Sequence, residues 1–286
     1  MVISMKLLEG KKVATALDET MTKRVDELKR KGVTPGLAVI LVGENSASAV
    51  YVRNKKRRAE KLGINFQLIH FDATVSEAEL LSKIDELNND KAVDGFIVQL
   101  PVPDHIDEDK VIEAINPAKD VDGFTPISVG NLWIGSPLTK PATASGILMM
   151  LDYYNVDLDG KNVVIIGRSN IVGKPTAAMM LDRNATVTIT HSHTKNLKEI
   201  TSKADVLVVA IGRAKFIKKD YVKDQAIVID VGMDRDENGK LCGDVDFDDV
   251  QDKASMMTPV PGGVGPMTIT ALVDQVIELA EGRANG

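Results

Sequence analysis

The sequence predicts a two-lobed α/β protein. Three observations carry that prediction: strand-like apolar runs alternate with helix-like periodicities along the chain, 286 residues are enough for two separate cores, and an irregular stretch rich in Pro, Gly and Asp interrupts the alternation near the middle. The formal net charge of −6 argues against an electrostatic grip on nucleic acid, so an anionic ligand would need locally supplied positive charge. The N-terminus lacks an apolar core with a cleavage site, and no apolar run reaches the ~18 residues of a membrane span. A soluble, cytoplasmic protein is expected. Cys242 is the single cysteine, which excludes an internal disulfide framework and a thiolate metal cluster, and the four histidines form no H-E-x-x-H pair, so metal catalysis is not expected.

In residues 11–31 apolar positions recur at Val13, Leu17, Met21, Val25 and Leu28, a helical spacing that Gly32 stops. Residues 37–42 (LAVILV) read as a buried strand, and SASAVYVRNKKRRAEKLGI as a helix ending at Gly63. A second strand follows at 66–71. Ser76 and Glu79 form a capping box before a helix to about Asn88, and residues 93–98 form a third strand closed by Gln99-Leu100-Pro101. Such alternation implies a parallel sheet with helices on both faces.

Residues 117–135 show no clear periodicity and read as a functional loop, with the domain junction shortly after it, giving domains of 1–142 and 143–267. Residues 143–154 form a linking helix. A Rossmann-like series follows: strand 162–166, helix 172–183, strand 185–190, a short helix near Leu197, and strands 205–211 and 226–231. Residues 234–239 (DRDENG) read as a surface turn and 258–268 (TPVPGGVGPMT) as a loop. The last helix, from 268 towards the C-terminus, is apolar on nearly every side and is expected to complete the first lobe.

Residues 161–175, KNVVIIGRSNIVGKP, join a β-branched strand to a glycine turn that opens a helix, an arrangement suited to binding an anion at the helix N-terminus. The spacing Gly167, Ser169, Gly173 is neither the G-x-G-x-x-G fingerprint nor a P-loop, so a plain strand-turn-helix unit stays open beside a dinucleotide pocket. The next strand ends in Thr190, His191, Ser192, His193, Thr194 and Lys195, without the carboxylate that would bind a ribose 2′-hydroxyl. Hydroxyl and imidazole donors there, with Arg168 as the cation, favour NADP over NAD.

In the first lobe Tyr51 and Lys55 lie four apart on one helix face. Lys55 begins the cluster KKRR, whose neighbouring cations would lower its pKa towards a range useful for proton transfer; from charge alone the run reads first as a solvated helix face. Gln99 stands at a strand end, where open parallel sheets line their crevice. Asp122, in KDVDG, suits an amino-amidine edge, or simply a turn. The backbone of residues 261–266 could close over a planar ligand or serve as a tight connector.

Together YVRNKKRRAEKLGI, GFIVQLPVP, PAKDVDGF, GRSNIVGKP, ATVTITHSHT, DVGMDRDENGKLCGDVDF and TPVPGGVGPMT, in this order, resemble the bifunctional methylenetetrahydrofolate dehydrogenase/methenyltetrahydrofolate cyclohydrolase family of the bacterial FolD type. The resemblance implies an N-terminal α/β folate lobe completed by the C-terminal helix, a C-terminal Rossmann-like NADP lobe, an active site in a cleft between them, and a homodimer. It places Lys55 at the catalytic lysine position, Tyr51 as its partner, Gln99 as the residue orienting lysine and substrate, and Asp122 as the residue holding the pterin. Leu100, Pro101, Pro261, Gly262, Gly263 and Val264 match substrate-contacting positions; Gly167, Arg168, Ser169, Ser192 and Met233 match NADP-binding ones. The chain departs from the family where Pro141-Ala142-Thr143-Ala144 replaces Pro-Cys-Thr-Pro, and where His193 stands in place of Arg or Lys. The implied chemistry is hydride transfer from 5,10-methylenetetrahydrofolate to NADP, then hydrolysis of the 5,10-methenyl cation to 10-formyltetrahydrofolate. Two alternatives share the second lobe: an NADP-dependent dehydrogenase of another small substrate, and a non-catalytic NADP-binding module.

Overall fold

Residues 5–285 are described by a computed structural model, apart from the side chains of residues 46 and 47. The chain opens with strand β1 (Lys6–Leu7) and helix α1 (Gly10–Arg30). Strand β2 (Gly36–Val42), helix α2 (Ser46–Leu62), strand β3 (Asn65–Phe71), helix α3 (Glu77–Asn89), strand β4 (Gly95–Val98) and helix α4 (Glu108–Glu113) follow. The strands form a parallel sheet in the order β3-β2-β4. All seven residues of β2 are buried, as expected for a central strand covered on both faces. One face packs Ala38, Ile40, Val42, Phe96 and Val98 against Leu80, Ile84 and Leu87 of α3 and Val111 of α4. The predicted cap is present: the Glu79 N–H donates to Ser76 Oγ at 3.2 Å.

The stretch read as one long loop contains structure. A 3₁₀ turn at Pro117–Lys119 precedes helix α5 (Pro126–Trp133), which starts because Thr125 accepts the Ser128 N–H and Pro126 fills the first turn without needing a donor. Eight residues with a central Gly130 are too few to show a helical period.

Helix α6 (Ala142–Tyr153) leads into strand β5 (Asn162–Ile166), helix α7 (Gly173–Leu181), strand β6 (Thr186–Thr190), helix α8 (Leu197–Thr201), strand β7 (Val206–Val209) and strand β8 (Ile227–Asp230). Residues 234–239 are only partly a turn, because β9 (Asp234–Arg235) pairs antiparallel with β10 (Leu241–Cys242). Helix α9 (Phe247–Val250), strand β11 (Met256–Met257) and helix α10 (Val264–Asn285) complete the chain. The six-stranded sheet runs β1-β11-β8-β7-β5-β6, and every pairing in it is parallel. Val164, Ile166, Leu207, Val209, Val228 and Met257 share its core with Val222, Val245 and Val250.

Two compact units result: Ala16–Ala142 with Ile269–Gly286, and Thr143–Thr268 with the chain up to Thr15. The expectation of a domain spanning 1–142 is corrected at its start, because Lys6 and Leu7 pair with Met256 and Met257 as the edge of the six-stranded sheet. Helix α10 begins at Val264, four residues earlier than expected, so Val264 is a helix residue and not part of a loop. Its Ala271, Leu272, Val273, Val276, Ile277 and Ala280 are buried.

Candidate active site

In the first unit β2 is flanked by β3, which follows it in the chain, and by β4, so the sheet reverses its direction of growth between β2 and β4. Ligands of open parallel sheets gather outside the carboxyl ends of strands at such a point. Gln99 extends β4 there, its N–H donating to Ile40 O at 2.8 Å. Helix α2, capped by Asn45, brings Lys55 to the same place, and Lys55 Nζ donates to Gln99 Oε1 at 2.9 Å. The Gln99 amide donates in turn to Leu100 O at 3.0 Å, which fixes its oxygen towards the lysine. The Leu100–Pro101 peptide is cis, with Leu100 half-buried and Pro101 exposed.

The predicted reason for a lowered Lys55 pKa is corrected. Successive residues of an α-helix turn by about 100°, so Lys56 and Arg57 point to solvent while Lys55 is only 7% exposed. Burial, not the charged neighbours, drives its pKa down, and the charge of Asp122 opposes the shift. Asp122 is pushed up to about 6 by the same burial, resisted by Lys55 and reinforced by Asp120. Tyr51, one helical turn before Lys55, is half-buried, and burial raises its phenol.

Sequence reasoning missed Asp120. This residue is buried, and its two carboxylate oxygens accept the N–H groups of Gly123 and Thr125 at 2.8 Å each, so it, and not Asp122, ties the turn. Asp122 is thereby left to face Lys55. From α10, Gln275 Nε2 donates to Val121 O at 2.7 Å and fastens the same turn. Two aspartates in KDVDG were the available signal, since one Asx turn needs only one of them.

In the second unit β5 plays the part of β2, flanked by β6 and β7. Gly167 has φ +124°, and a Cβ there would lie 2.2 Å from Ala210 O. A Cβ on Gly173 would lie 2.2 Å from Gly167 O, so the unusual spacing still supplies a close helix–turn contact. Ser169 Oγ accepts the N–H groups of Val172 and Gly173, opening α7. The Gly167 N–H donates to Thr190 O at 2.9 Å and thereby joins the turn to the end of β6. There Arg168 and His193 both depress the pKa of His191 after its desolvation, and Ser192 is exposed beside them. His191 Nδ1 accepts the His193 N–H at 3.2 Å, which leaves Nε2 as the donor of the neutral ring. His191 was not among the predicted site residues.

Met233 is 48% exposed, and its sulfur lies 3.7 Å from the position a Cβ on Gly265 would take. Gly262 has φ +107°, and its carbonyl accepts the Lys11 N–H at 3.0 Å; Gly263 packs on Pro259 and on Gly10, with the Val260–Pro261 peptide cis and Pro261 exposed. Pro261, Gly262, Gly263 and Val264 therefore belong to the unit that carries Gly167, whereas Tyr51, Lys55, Gln99, Leu100, Pro101 and Asp122 belong to the other.

The catalytic-domain model of the tetrahydrofolate dehydrogenase/cyclohydrolase family matches residues 8–122, and that family's NAD(P)-binding-domain model matches residues 141–284. The chain belongs to this family. Among its relatives, the bifunctional protein FolD of Lactococcus lactis subsp. cremoris (strain MG1363) is 56% identical over 281 residues, which are 98% of this chain and 99% of that protein. The crystal structure of the Campylobacter jejuni FolD methylenetetrahydrofolate dehydrogenase/cyclohydrolase is 46% identical, covering 98% of this chain and 99% of that one, with a TM-score of 0.95. The Trypanosoma brucei enzyme, solved with NADP cofactor and an inhibitor, is 35% identical over 99% of each chain, with a TM-score of 0.94. A tetrahydrofolate dehydrogenase/cyclohydrolase thus has its two family domains on the two groups of residues described above.

Proposed function

We infer that the protein oxidises 5,10-methylenetetrahydrofolate to the 5,10-methenyl cation with NADP and hydrolyses that cation to 10-formyltetrahydrofolate. The observation that carries this reading is the Lys55 amine, buried and aimed at Gln99 with Asp122 within its field. A module that only bound a cofactor would gain nothing from removing an ammonium from water, which is costly.

NADP fits the second unit. The backbone at Gly167 leaves no room for a side chain, and Arg168, Ser192 and the His191 Nε2–H are donors for a 2′-phosphate. When bound, NADP accepts the hydride. Expulsion of that hydride is driven by the folate nitrogen lone pairs, so the protein's contribution to the first step is orientation. Gly167, Arg168, Ser169, Ser192 and Met233 hold the dinucleotide in this reading. Leu100, Pro101, Pro261, Gly262, Gly263 and Val264 hold the folate, while Asp122 accepts from the pterin amino-amidine edge.

The second step moves protons. Water adds to the methenyl carbon and loses one proton to Lys55, whose burial favours the neutral amine. The C–N5 bond then breaks while the new hydroxyl forms the formyl C=O and its proton passes to N5. Gln99 holds the amine in place through Oε1, and Tyr51 flanks it on α2. Homodimerisation and a cytoplasmic location complete the reading, on the family resemblance and the single cysteine; sedimentation of the purified chain tests the first.

The deciding experiment is an absorbance assay with 5,10-methylenetetrahydrofolate and either NADP or NAD, following reduced cofactor and methenyl product separately. Reduction of NADP with transient methenyl compound is expected. Absence of both signals overturns the reading.

A further inference from the structure

We propose that Asp244 is a positioning residue for dinucleotide binding, holding the loop after β7 in the shape that forms one wall of the nucleotide crevice. The proposal rests on the NADP reading above. At the switch point of the six-stranded sheet the crevice has two walls, the turn after β5 and the loop after β7. They meet at the backbone, where the Gly167 Cα leaves 2.2 Å between a would-be Cβ and Ala210 O.

The first wall is shaped by glycines and Ser169. The second has no such device of its own. Its last ladder bond runs from the Ala210 N–H to Ile166 O at 2.9 Å, after which the strand pairing ends. Ile211 and Arg213 then donate their N–H groups to Oδ2 and Oδ1 of Asp244, at 2.8 and 2.5 Å, across Gly212 at φ +62°. One carboxylate, fully buried, replaces the missing strand partner.

Asp244 is itself fixed from behind. Its N–H donates to Oδ1 of Asp230 at the end of β8, and Asp230 also accepts the N–H groups of Gly232 and Val245. A Cβ at Gly243 would lie 1.9 Å from Asp230 Oδ2, and one at Gly232 would lie 2.4 Å from the Asp244 nitrogen. These contacts explain both glycines of the DVG and CGDVD segments. Each oxygen of Asp244 accepts one N–H, and its carboxylate also shares a hydrogen bond with the Asp234 side chain, so an amide at this position would set a donor against one of the loop N–H groups.

The test is Asp244→Asn in the full chain, assayed for NADP-dependent oxidation and, separately, for hydrolysis of 5,10-methenyltetrahydrofolate without cofactor. The expected result is a KM for NADP raised roughly tenfold or more, the scale of one lost charge-assisted hydrogen bond, with kcat at saturating NADP and hydrolysis unchanged. An unchanged KM, or an equal loss of both activities, overturns the proposal. Should the variant fail to fold, amide hydrogen exchange on the wild-type chain decides: Ile211 and Arg213 protected without NADP support the proposal, whereas protection only after NADP is added sinks it. Fluorescence titration with NADPH separates this failure from that of the functional reading. A wild-type chain that binds NADPH and performs neither folate reaction defeats the reading, and the NADPH affinities of the two chains still decide the part of Asp244.

Discussion

A lysine almost out of water loses its proton more readily than one on the surface, and the amide oxygen 2.9 Å away holds it in place. Lys55→Met keeps the size of the side chain and removes the amine, so hydrolysis of 5,10-methenyltetrahydrofolate should fall by at least roughly a hundredfold, the low end for a general base. NADPH affinity should be unchanged, and unaltered hydrolysis would remove Lys55 from the mechanism. Asp122 gives a prediction with a sign. Its folded pKa is about 6 against an ordinary 3.8, so the native state binds that proton more tightly than the unfolded chain. The contribution to stability is complete below about pH 4 and is lost as the pH rises through 6. Asp122→Asn, which never ionises, should therefore be more stable than wild type at pH 7.5, by up to about 3 kcal/mol since the shift from 3.8 to about 6 already includes the attraction to Lys55, and no more stable at pH 4. Denaturant midpoints at the two pH values test this; equal differences at both would refute it. The same variant should lose folate turnover.

At the scale of elements, the turn between β5 and α7 depends on the absence of a side chain. Gly167→Ala places a Cβ 2.2 Å from Ala210 O at a φ of +124°, a strain of order 1–3 kcal/mol. The KM for NADP should rise by roughly tenfold or more, while cofactor-free hydrolysis persists; simultaneous loss of hydrolysis would show that the damage spreads beyond the nucleotide site. Long periodic elements were legible in the sequence because burial on one face leaves a repeat: α1, β2, α2 and β5 lie within a residue or two of their expected bounds. Strands β1 and β11 were not, since each has two residues and their pairing joins positions about 250 apart in sequence. Helix α5 was hidden by its shortness, and the first turn of α10 by a Gly- and Pro-rich sequence that usually marks a loop. Within the site, Lys55 and Gln99 are hydrogen-bonded, and Asp122 acts on the lysine by its charge. Asp244 left no local pattern, because the N–H groups it accepts, those of Ile211 and Arg213, lie 33 and 31 residues earlier in the chain, whereas Asp120 and His191 bond within their own turns.

At the scale of the molecule, neither unit is continuous in sequence. Helix α10 is tied to the unit of Lys55 by charge as well as by apolar burial. Arg24 reaches both Asp274 and Glu281, and Arg283 Nε and Nη2 grip Asp94 at 2.6 and 3.0 Å. The Asp94 side chain is 1% exposed and also accepts the Gly36 N–H that starts β2. Arg283→Ala would remove the guanidinium that grips that carboxylate and leave it only the more distant charge of Lys119, and about 2 kcal/mol of stability should be lost, since breaking such a pair strands a buried charge. A chemical denaturation midpoint that does not move would show that water replaces the guanidinium.

The discontinuity also sets an order of completion during synthesis. A domain usually closes as soon as its own residues have left the ribosome, the earlier one first. Here the sheet of β2, β3 and β4 emerges first, yet the part of α10 that belongs to the same unit follows only after the second sheet, and strand β1 waits for a neighbour made about 250 residues later. A nascent chain stalled anywhere before Thr268 therefore holds one unit without the helix residues that complete it, which makes the emergence of the stretch after Thr268 the step that closes the unit begun first.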